Sequence, residues 1–319
     1  MKALYIQLEF ELRRFEVKEK SIETIFIGGG TPSTVSPQLY EPIFELLKPY
    51  LACAIEITSE ANPNSATPEW LLGMWNLGVN RISFGVQSFN DAKLKLLNRA
   101  HNSAQAKKAI VNAKKIGFEN LSLDLIYATL NDTKELLIHD IETAFSLPIN
   151  HISAYALTIE EGTPFEKKPH MSKETLSLTS WLFEKIISQG FEQYEISNFG
   201  KYQSAHNMGY WQYKDYIGLG SGAVGKLGLE RFYPTTTLEK YIQNPLDITT
   251  EPLNLEDKKI EQLFLGFRSC VGVKKEILNA YELKRAQILV DEKKLQLKNN
   301  TFYNPEYLLA DEITLFISS

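Results

Sequence analysis

The segment TIFIGGGTPS, residues 24–33, is the most informative stretch of this chain, because it predicts a strand end that is open to a ligand. Its β-branched and aromatic start, residues 24–27, predicts a buried strand, and three glycines follow that strand directly. Because glycine has no Cβ and reaches positive φ freely, the main chain of residues 28–30 can approach a ligand closely. A tight strand-to-helix turn is the alternative. The segment contains neither of the two common phosphate-loop spacings, so it indicates a small molecule of another kind.

Composition restricts the class of protein. The 319 residues, 44% of them hydrophobic, suffice for one large α/β domain and a small appendage. A net charge of -5, with no stretch of mixed basic and aromatic residues, argues against a nucleic-acid partner. No apolar run is long enough to cross a bilayer, and we expect a cytoplasmic protein.

The cysteines and histidines show no pattern typical of a disulfide framework or a zinc site. Cys53 and Cys270 lie far apart in sequence, and we expect each to be a small buried side chain. The five histidines show neither H-x-H nor H-E-x-x-H spacing. We therefore expect no metal site made by this chain alone.

Residues 1 to about 160 alternate helical periods with short β-rich runs, which predicts repeated βα units around a parallel sheet or barrel. Gly78, Gly117 and Gly190 each stand just before a new strand, at the position that ends a helix in the left-handed conformation. The predicted strands are Thr24–Ile27, Ile55–Thr58, Arg81–Val86, Leu121–Ile126 and Ile152–Leu157.

The two ends of the chain differ from this rhythm. Apolar residues on one face predict a helix over 4–15, with no strand before it. A second helix is expected over about 173–189, followed by a polar, aromatic and glycine-rich stretch, 194–228, that is typical of a functional surface. We predict three regions: a partial barrel over 1–170, an extension completing the site over 171–250, and a small helical or winged domain over 251–319.

Three polar residues stand where a parallel sheet presents its ligands, at or near the carboxyl ends of strands: Glu60, Gln87 and Asp124. Asp124 lies in an otherwise apolar strand, so its carboxylate needs a donor from a ligand, from Arg99 or from the main chain. The alternatives are ordinary ones: a structural ion pair for Asp124, a turn cap for Glu60 and a loop-backbone contact for Gln87.

Taken together, these motifs resemble a known family. Five motifs resemble the radical S-adenosylmethionine (SAM) family of oxygen-independent coproporphyrinogen III oxidases. They are GGGTPS at 28–33, SEANP at 59–63, SFGVQSF at 83–89, NRAH at 98–101 and LDLIYATL at 123–130. Within that family, three further motifs are similar to the HemW branch of haem chaperones. They are EISNF at 195–199, His206-Asn207 with Tyr210-Trp211, and GLGSGAVG at 218–225. The likeness spans nearly the whole chain.

The resemblance implies an incomplete parallel βα barrel of radical SAM type, lacking its first strand, with a small C-terminal helical or winged domain. It also implies a SAM site, in which the GGGTP turn receives the amino group of the methionine moiety and the arginine suits the carboxylate. The positions that match the family's SAM contacts are Gly29, Gly30, Thr31, Glu60, Gln87, Arg99, Asp124 and Ala156.

The chain departs from the family at its start. Relatives carry Cys-x3-Cys-x2-Cys after their first strand, which ligates a [4Fe–4S] cluster, and this motif is absent here. Cys53 and Cys270 cannot replace it, because cluster ligation needs several closely spaced thiolates. We expect a truncated chain, in which the helix over 4–15 is the one that follows the cysteine loop. A true loss of the cluster is the alternative, and in either case the chain as given is expected to be unable to generate a radical.

By resemblance, the chain binds haem and delivers it to apoproteins, with SAM and the cluster as supporting elements. The alternative is an enzyme of porphyrin biosynthesis that decarboxylates coproporphyrinogen III oxidatively, and a weaker third is a cluster-free binding protein. His206, Tyr210 and Trp211 are the candidate haem residues, although His206 could instead bond loop backbone. The sequence leaves open whether the chain forms a homodimer.

Overall fold

The computed structural model describes residues 1–159 and 165–319. Within these ranges the helices are α1 (Lys2–Arg14), α2 (Glu41–Leu47), α3 (Pro68–Asn76), α4 (Asp91–Leu96), α5 (Ser103–Ile116), α6 (Lys134–Phe145), α7 (Leu176–Ser188), α8 (Ala205–Trp211), α9 (Leu238–Gln243), α10 (Leu255–Phe267), α11 (Ala280–Asp291) and α12 (Ala310–Ser318). Short 3₁₀ turns cover Pro32–Thr34, Pro37–Tyr40, Lys48–Tyr50, Pro169–Met171, Lys275–Ile277 and Tyr307–Leu309.

The strands in the same ranges are β1 (Ile22–Ile27), β2 (Leu51–Ala61), β3 (Arg81–Gln87), β4 (Asn120–Tyr127), β5 (His151–Ala156), β6 (Glu192–Gln193), β7 (Asn198–Gly200), β8 (Gly225–Leu227), β9 (Glu230–Pro234), β10 (Ile248–Pro252), β11 (Val273–Lys274), β12 (Gln296–Lys298) and β13 (Thr301–Tyr303). Each strand predicted within residues 1–160 is present, with its ends shifted by a few residues. The helices predicted over 4–15 and about 173–189 are confirmed as α1 and α7.

The principal sheet has the strand order β1-β2-β3-β4-β5-β7-β6. Strands β2 to β5 pair in parallel, with α3, then α4 and α5, then α6 as the connections. The predicted βα repeat is therefore confirmed for this part of the chain. The strand β7 pairs antiparallel to both β5 and β6, which explains why the βα rhythm of the sequence ends after β5.

The two faces of the parallel strands differ in chemistry. In β4 the residues Leu121, Leu123 and Leu125 point to one face and are at most 4% exposed, and α5 packs against β3 and β4. The alternate residues Ser122 and Asp124 point to the other face, because successive side chains of a strand point to opposite sides. The second face thus carries polar groups at positions that a sheet covered on both sides would fill with apolar ones.

Helix ends follow their sequence signals. Gly78, Gly117 and Gly190 have φ values of +95°, +127° and +90°, so the predicted left-handed ends of α3, α5 and α7 are confirmed. Asn102 begins α5 with a capping box, in which its side chain and that of Gln105 each accept a backbone N–H at 2.9 Å.

The chain divides into two compact units. The first comprises residues 24–38 and 56–203, and holds most of the principal sheet. The second comprises residues 1–23, 39–55 and 204–319. Its C-terminal part packs α10, α11 and α12 around Phe267 and Phe302, beside the antiparallel sheet β11-β13-β12, in agreement with the expected helical region with a wing. The boundaries at residues 170 and 250 stay predictions.

The expectation of two buried cysteines is wrong. Cys53 is exposed and Cys270 is half-buried. The reason at Cys53 is that β2 is longer than predicted, and its pairing with β3 begins only at Thr58. In the described ranges, no helix has the length and apolar composition needed to cross a membrane.

Candidate functional site

A cavity of about 210 Å³ opens beside the carboxyl ends of β2 and β3, within the first unit. This is the edge at which a parallel α/β sheet binds its ligands. The residues that line it are Gly30, Thr31, Pro32, Glu60, Ala61, Asn62, Ser83, Gly85, Gln87, Arg99 and Asp124.

The glycine turn after β1 is shaped to meet Glu60. Gly29 and Gly30 have φ values of +75° and +56°, a region that glycine enters without strain. A Cβ at Gly28 would collide with the ring of Phe26 and lie 3.2 Å from Glu60 Cδ. The N–H of Gly29 donates to Glu60 Oε2 at 3.2 Å. Burial raises the pKa of Glu60, and the bond from Gly29 opposes this shift.

Arg99 brings the positive charge of the cavity. Its Nη2 donates to Asn62 Oδ1 at 2.7 Å and to the carbonyl oxygen of Gly85 at 3.2 Å. Burial lowers the pKa of Arg99, and the negative charge of Asp124 opposes that shift. Both contacts use Nη2, so they orient the planar guanidinium from one of its ends.

Asp124 meets hydroxyl groups. Ser83 Oγ donates to Asp124 Oδ1 at 3.4 Å, and Ser153 also hydrogen-bonds this carboxylate. The sequence predicted a donor from a ligand, Arg99 or the main chain; the structure adds serines that face Asp124 from the neighbouring strands β3 and β5. Burial raises the pKa of Asp124 to about 6, despite the hydrogen bond from Ser153.

Two residues with a left-handed backbone lie at strand ends of the sheet edge that carries the cavity. Gln87 at the end of β3 has φ +68°, where the pairing with β4 shifts register, and Ala128 directly after β4 has φ +62°. Such conformations cost residues other than glycine free energy and persist only where neighbouring structure imposes them. Their position at two adjacent strand ends supports a functional role for this edge.

A buried ion cluster fixes the loop that follows Gln87. Lys93 Nζ lies 2.8 Å from Asp132 Oδ1 and 3.9 Å from Asp140 Oδ2, and all three side chains are at most 3% exposed. Asp140 accepts hydrogen bonds from Ser88 Oγ at 2.7 Å and from the N–H of Phe89 at 2.6 Å. The cluster therefore holds the two residues next to Gln87.

The structure brings most of the expected SAM positions together. Six of these positions line the cavity: Gly30, Thr31, Glu60, Gln87, Arg99 and Asp124. Gly29 donates a hydrogen bond to Glu60. Ala156 ends β5 and is not part of this lining. The lining residues that were not predicted are Pro32, Ala61, Asn62, Ser83 and Gly85. Because side chains of a strand alternate between faces, Ser83 and Gly85 share a face with Gln87, and this could have indicated them.

The candidate haem residues lie in the second unit, on α8. His206 Nε2 and Tyr210 Oη are 3.2 Å apart, and their ring centroids are 5.0 Å apart at 88°. The ring of Tyr210 in turn contacts that of Tyr216, with centroids 4.7 Å apart. Trp211 ends the same helix and is half-buried. The contact between His206 and Tyr210 arises because residues four apart share a helix face.

An iron–sulfur cluster does not fit the residues of this chain. The sequence has two cysteines, and one of them, Cys53, is exposed. Within residues 1–159 and 165–319, no group of three or more His, Cys, Asp or Glu side chains is placed to hold a metal ion. A [4Fe–4S] cluster needs several converging thiolates.

Comparison with known proteins decides the family. Residues 6–144 match the radical SAM superfamily. The chain is 35% identical over 289 residues to the haem chaperone HemW of Haemophilus influenzae, covering 86% of this chain and 75% of that protein. It is 34% identical over 277 residues to HemW of Lactococcus lactis, covering 82% and 73%. The chain belongs to the HemW-type branch of the radical SAM family.

The fold of this HemW-type chain agrees with the family. The solved structure of the Escherichia coli coproporphyrinogen III oxidase HemN, a radical SAM enzyme, superposes with a TM-score of 0.81 at 17% identity, covering 100% of this chain and 82% of that one. At this identity the likeness concerns the fold alone. The predicted fold class, a partial radical SAM barrel with a C-terminal helical region, is confirmed.

Proposed function

We propose that this chain is a haem chaperone that binds haem and transfers it to apoproteins, on a scaffold that also binds SAM. The observation that carries the proposal is the extended match to proteins named haem chaperone HemW, which includes 86% of this chain at 35% identity. A match of this length includes residues of both compact units. The chain therefore shares more with these relatives than the radical SAM segment, residues 6–144.

The α8 residues suit haem in their donor chemistry. An imidazole is a frequent haem-iron ligand, and aromatic rings pack well against a porphyrin face. His206 would supply the ligand, with Tyr210 and Trp211 beside the macrocycle. Tyr210 is 40% exposed, so part of its ring faces solvent and is open to contact by a bound group.

The cavity in the first unit suits the amino-acid end of SAM. That end carries an ammonium and a carboxylate, and the cavity offers the carboxylate of Glu60 and the guanidinium of Arg99. Gly29, Gly30 and Thr31 would hold the ammonium with Glu60. Gln87 and Asp124 would contact the rest of the ligand, and Ala156 the adenine. When bound, SAM supplies a sulfonium that carries the adenosyl group; these residues bind and orient it.

The proposed partners follow from the same argument. Haem is the cargo, and apoproteins that accept haem are the recipients. A cytoplasmic location stays a prediction from the sequence, which leaves open whether the chain forms a homodimer.

Haem titration followed by visible absorption tests the proposal. Wild-type protein is expected to bind haem with a defined Soret band and to pass it to an apo-globin or apo-cytochrome. His206→Ala should shift the band and weaken binding, whereas His139→Ala, which removes an exposed histidine on α6, should leave both unchanged. Equal spectra for the two variants would refute the assigned ligand, and absence of saturable binding by the wild type would refute the chaperone proposal.

A further inference from the structure

A row of polar side chains crosses the sheet from the cavity to β7. Asp124 in β4 pairs in register with Ser153 in β5, and Ser153 pairs with Asn198 in β7. Register partners in adjacent strands point to the same face, so these three side chains are neighbours on the polar face of the sheet. On the other side of Asp124, Ser83 Oγ donates to its carboxylate. The row is therefore continuous from the cavity wall to Asn198.

Glu195 lies at the far end of this row. It precedes Asn198 in the short turn between β6 and β7, and its side chain is 1% exposed. Its Oε2 accepts the N–H of Ser197 at 3.1 Å. Among residues 1–159 and 165–319, no donor lies within hydrogen-bonding distance of its buried Oε1 or of Asn198 Oδ1, which is also buried.

Two buried oxygens without donors are unfavourable, because each has lost its water and gained no partner. One added proton changes this. A protonated Glu195 is a donor, and a neighbouring amide oxygen is an acceptor that needs one. Ionised Glu195 does the opposite: it competes for the N–H groups of the Asn198 amide and withdraws them from the row.

We propose that Glu195 is a positioning residue for the cavity: it carries a proton, donates the hydrogen bond that the row lacks, and through Asn198 and Ser153 holds Asp124 in the orientation that binds ligand. The inference rests on the proposed SAM site and adds its regulation by pH. Ionisation of Glu195 leaves the row without that donor and weakens ligand binding.

The charges around the row agree with this assignment. Burial raises the pKa of Glu195 to about 7, and hydrogen bonds from the N–H of Ser197 and from the side chain and N–H of Asn198 oppose the shift. Tyr155 faces Glu195 from β5, and Asn198 faces it from β7. Near neutral pH, both the protonated and the ionised form of Glu195 are therefore populated.

The other end of the row titrates at lower pH. Asp124, with a pKa of about 6, faces the charges of Glu60, Arg81 and Arg99.

The test is calorimetric titration of the full chain with SAM at about pH 6.5 and about pH 8. At the higher pH only roughly one tenth of Glu195 keeps its proton, so apparent affinity of the wild type should fall by about tenfold. Glu195→Gln keeps a neutral donor that does not titrate. It should bind as tightly as the wild type at the lower pH and lose no affinity at the higher one. Glu192→Gln, at an exposed glutamate on β6, should behave as the wild type.

The outcomes separate this inference from the function it rests on. If the wild type binds SAM and Glu195→Gln shows the same loss of affinity with pH, the inference is wrong and the site stands. If the wild type shows no pH dependence, the inference is also wrong. If the wild type binds no SAM at either pH, the proposed site itself is refuted, and the inference falls with it.

A readout without ligand guards against misfolding. The raised pKa of Glu195 means that its ionisation costs the folded state free energy, and this cost grows as pH rises from the ordinary glutamate range of about 4.3 to about 7. Glu195→Gln should therefore melt higher than the wild type at about pH 8, and the difference should shrink toward about pH 5. A difference that does not change with pH would overturn the assignment of a buried proton to Glu195.

Discussion

Removal of Lys93 should destabilise the first unit strongly, because this side chain faces two buried carboxylates. Its Nζ lies 2.8 Å from Asp132 and 3.9 Å from Asp140, and none of the three side chains is more than 3% exposed. Lys93→Met keeps the volume and removes the charge, so two carboxylates stay buried without a cation. Breaking a buried pair in this way costs about 3–5 kcal/mol.

Urea unfolding followed by tryptophan fluorescence measures this cost, since Trp70 and Trp75 lie in the same unit. In a domain of 150–250 residues the loss corresponds to a melting point lower by roughly 6–20 °C. Lys108→Met, at an exposed lysine on α5, is the matched control and should change stability by less than about 0.5 kcal/mol. Adding Asp132→Asn to Lys93→Met removes one uncompensated charge and should restore part of the loss.

The pH dependence has a defined sign. Burial already raises the pKa of Asp140 while Lys93 opposes that shift, so loss of Lys93 raises it further. A carboxyl group whose folded pKa is raised destabilises the fold when it ionises. The deficit of Lys93→Met should therefore be largest at neutral pH and shrink as the pH falls toward about 4. A loss below about 1 kcal/mol, or no recovery with Asp132→Asn, would refute this account of the cluster.

Two further predictions concern the cavity and the glycine-rich loop. Arg99→Lys removes the planar guanidinium that bonds Asn62 and Gly85, and should weaken SAM binding by about 10- to 100-fold in calorimetry. Arg13→Lys, on an exposed face of α1, is the control and should leave the affinity unchanged. Equal affinities of the two variants would contradict the assigned carboxylate contact. Gly218→Ala would place a Cβ against the carbonyl oxygen of Val224 and should lower the free energy of unfolding by about 1–3 kcal/mol. Gly209→Ala on α8 meets open space and should raise that free energy by up to about 1 kcal/mol. A thermal melt that ranks the two variants the other way would contradict the packing of this loop.

The sequence was sufficient to predict the helix ends and parallel strands that depend on local patterns of residues. The helix ends at Gly78, Gly117 and Gly190 were predictable because only the left-handed conformation lets a helix end there at low cost, and glycine adopts it without strain. The parallel strands were predictable because β-branched and aromatic runs alternate with helical periods. Most cavity residues were also predictable, since polar groups at strand ends stand out against an apolar background.

The sequence was not sufficient for contacts across strands. Asp124 was expected to need a donor, but the serines that face it come from β3 and β5, which are distant in the chain. Cys53 was expected to be buried, yet β2 extends beyond its pairing with β3 and exposes it. Neither fact has a local signal, because register is set by the packing of whole strands.

Residue types at fixed spacings were enough to predict the order of helices and strands up to about residue 160, the glycine turn at residues 28–30 and the family resemblance. The tertiary structure alone decided which side chains share a face and which lose water. Glu195 shows the difference: its sequence neighbours give no sign of an unusual carboxyl group, but folding leaves it 1% exposed near Asn198. One of its oxygens has no hydrogen-bond donor among the residues that the structure describes. Desolvation depends on everything packed around a group, and that is fixed only when distant parts of the chain meet.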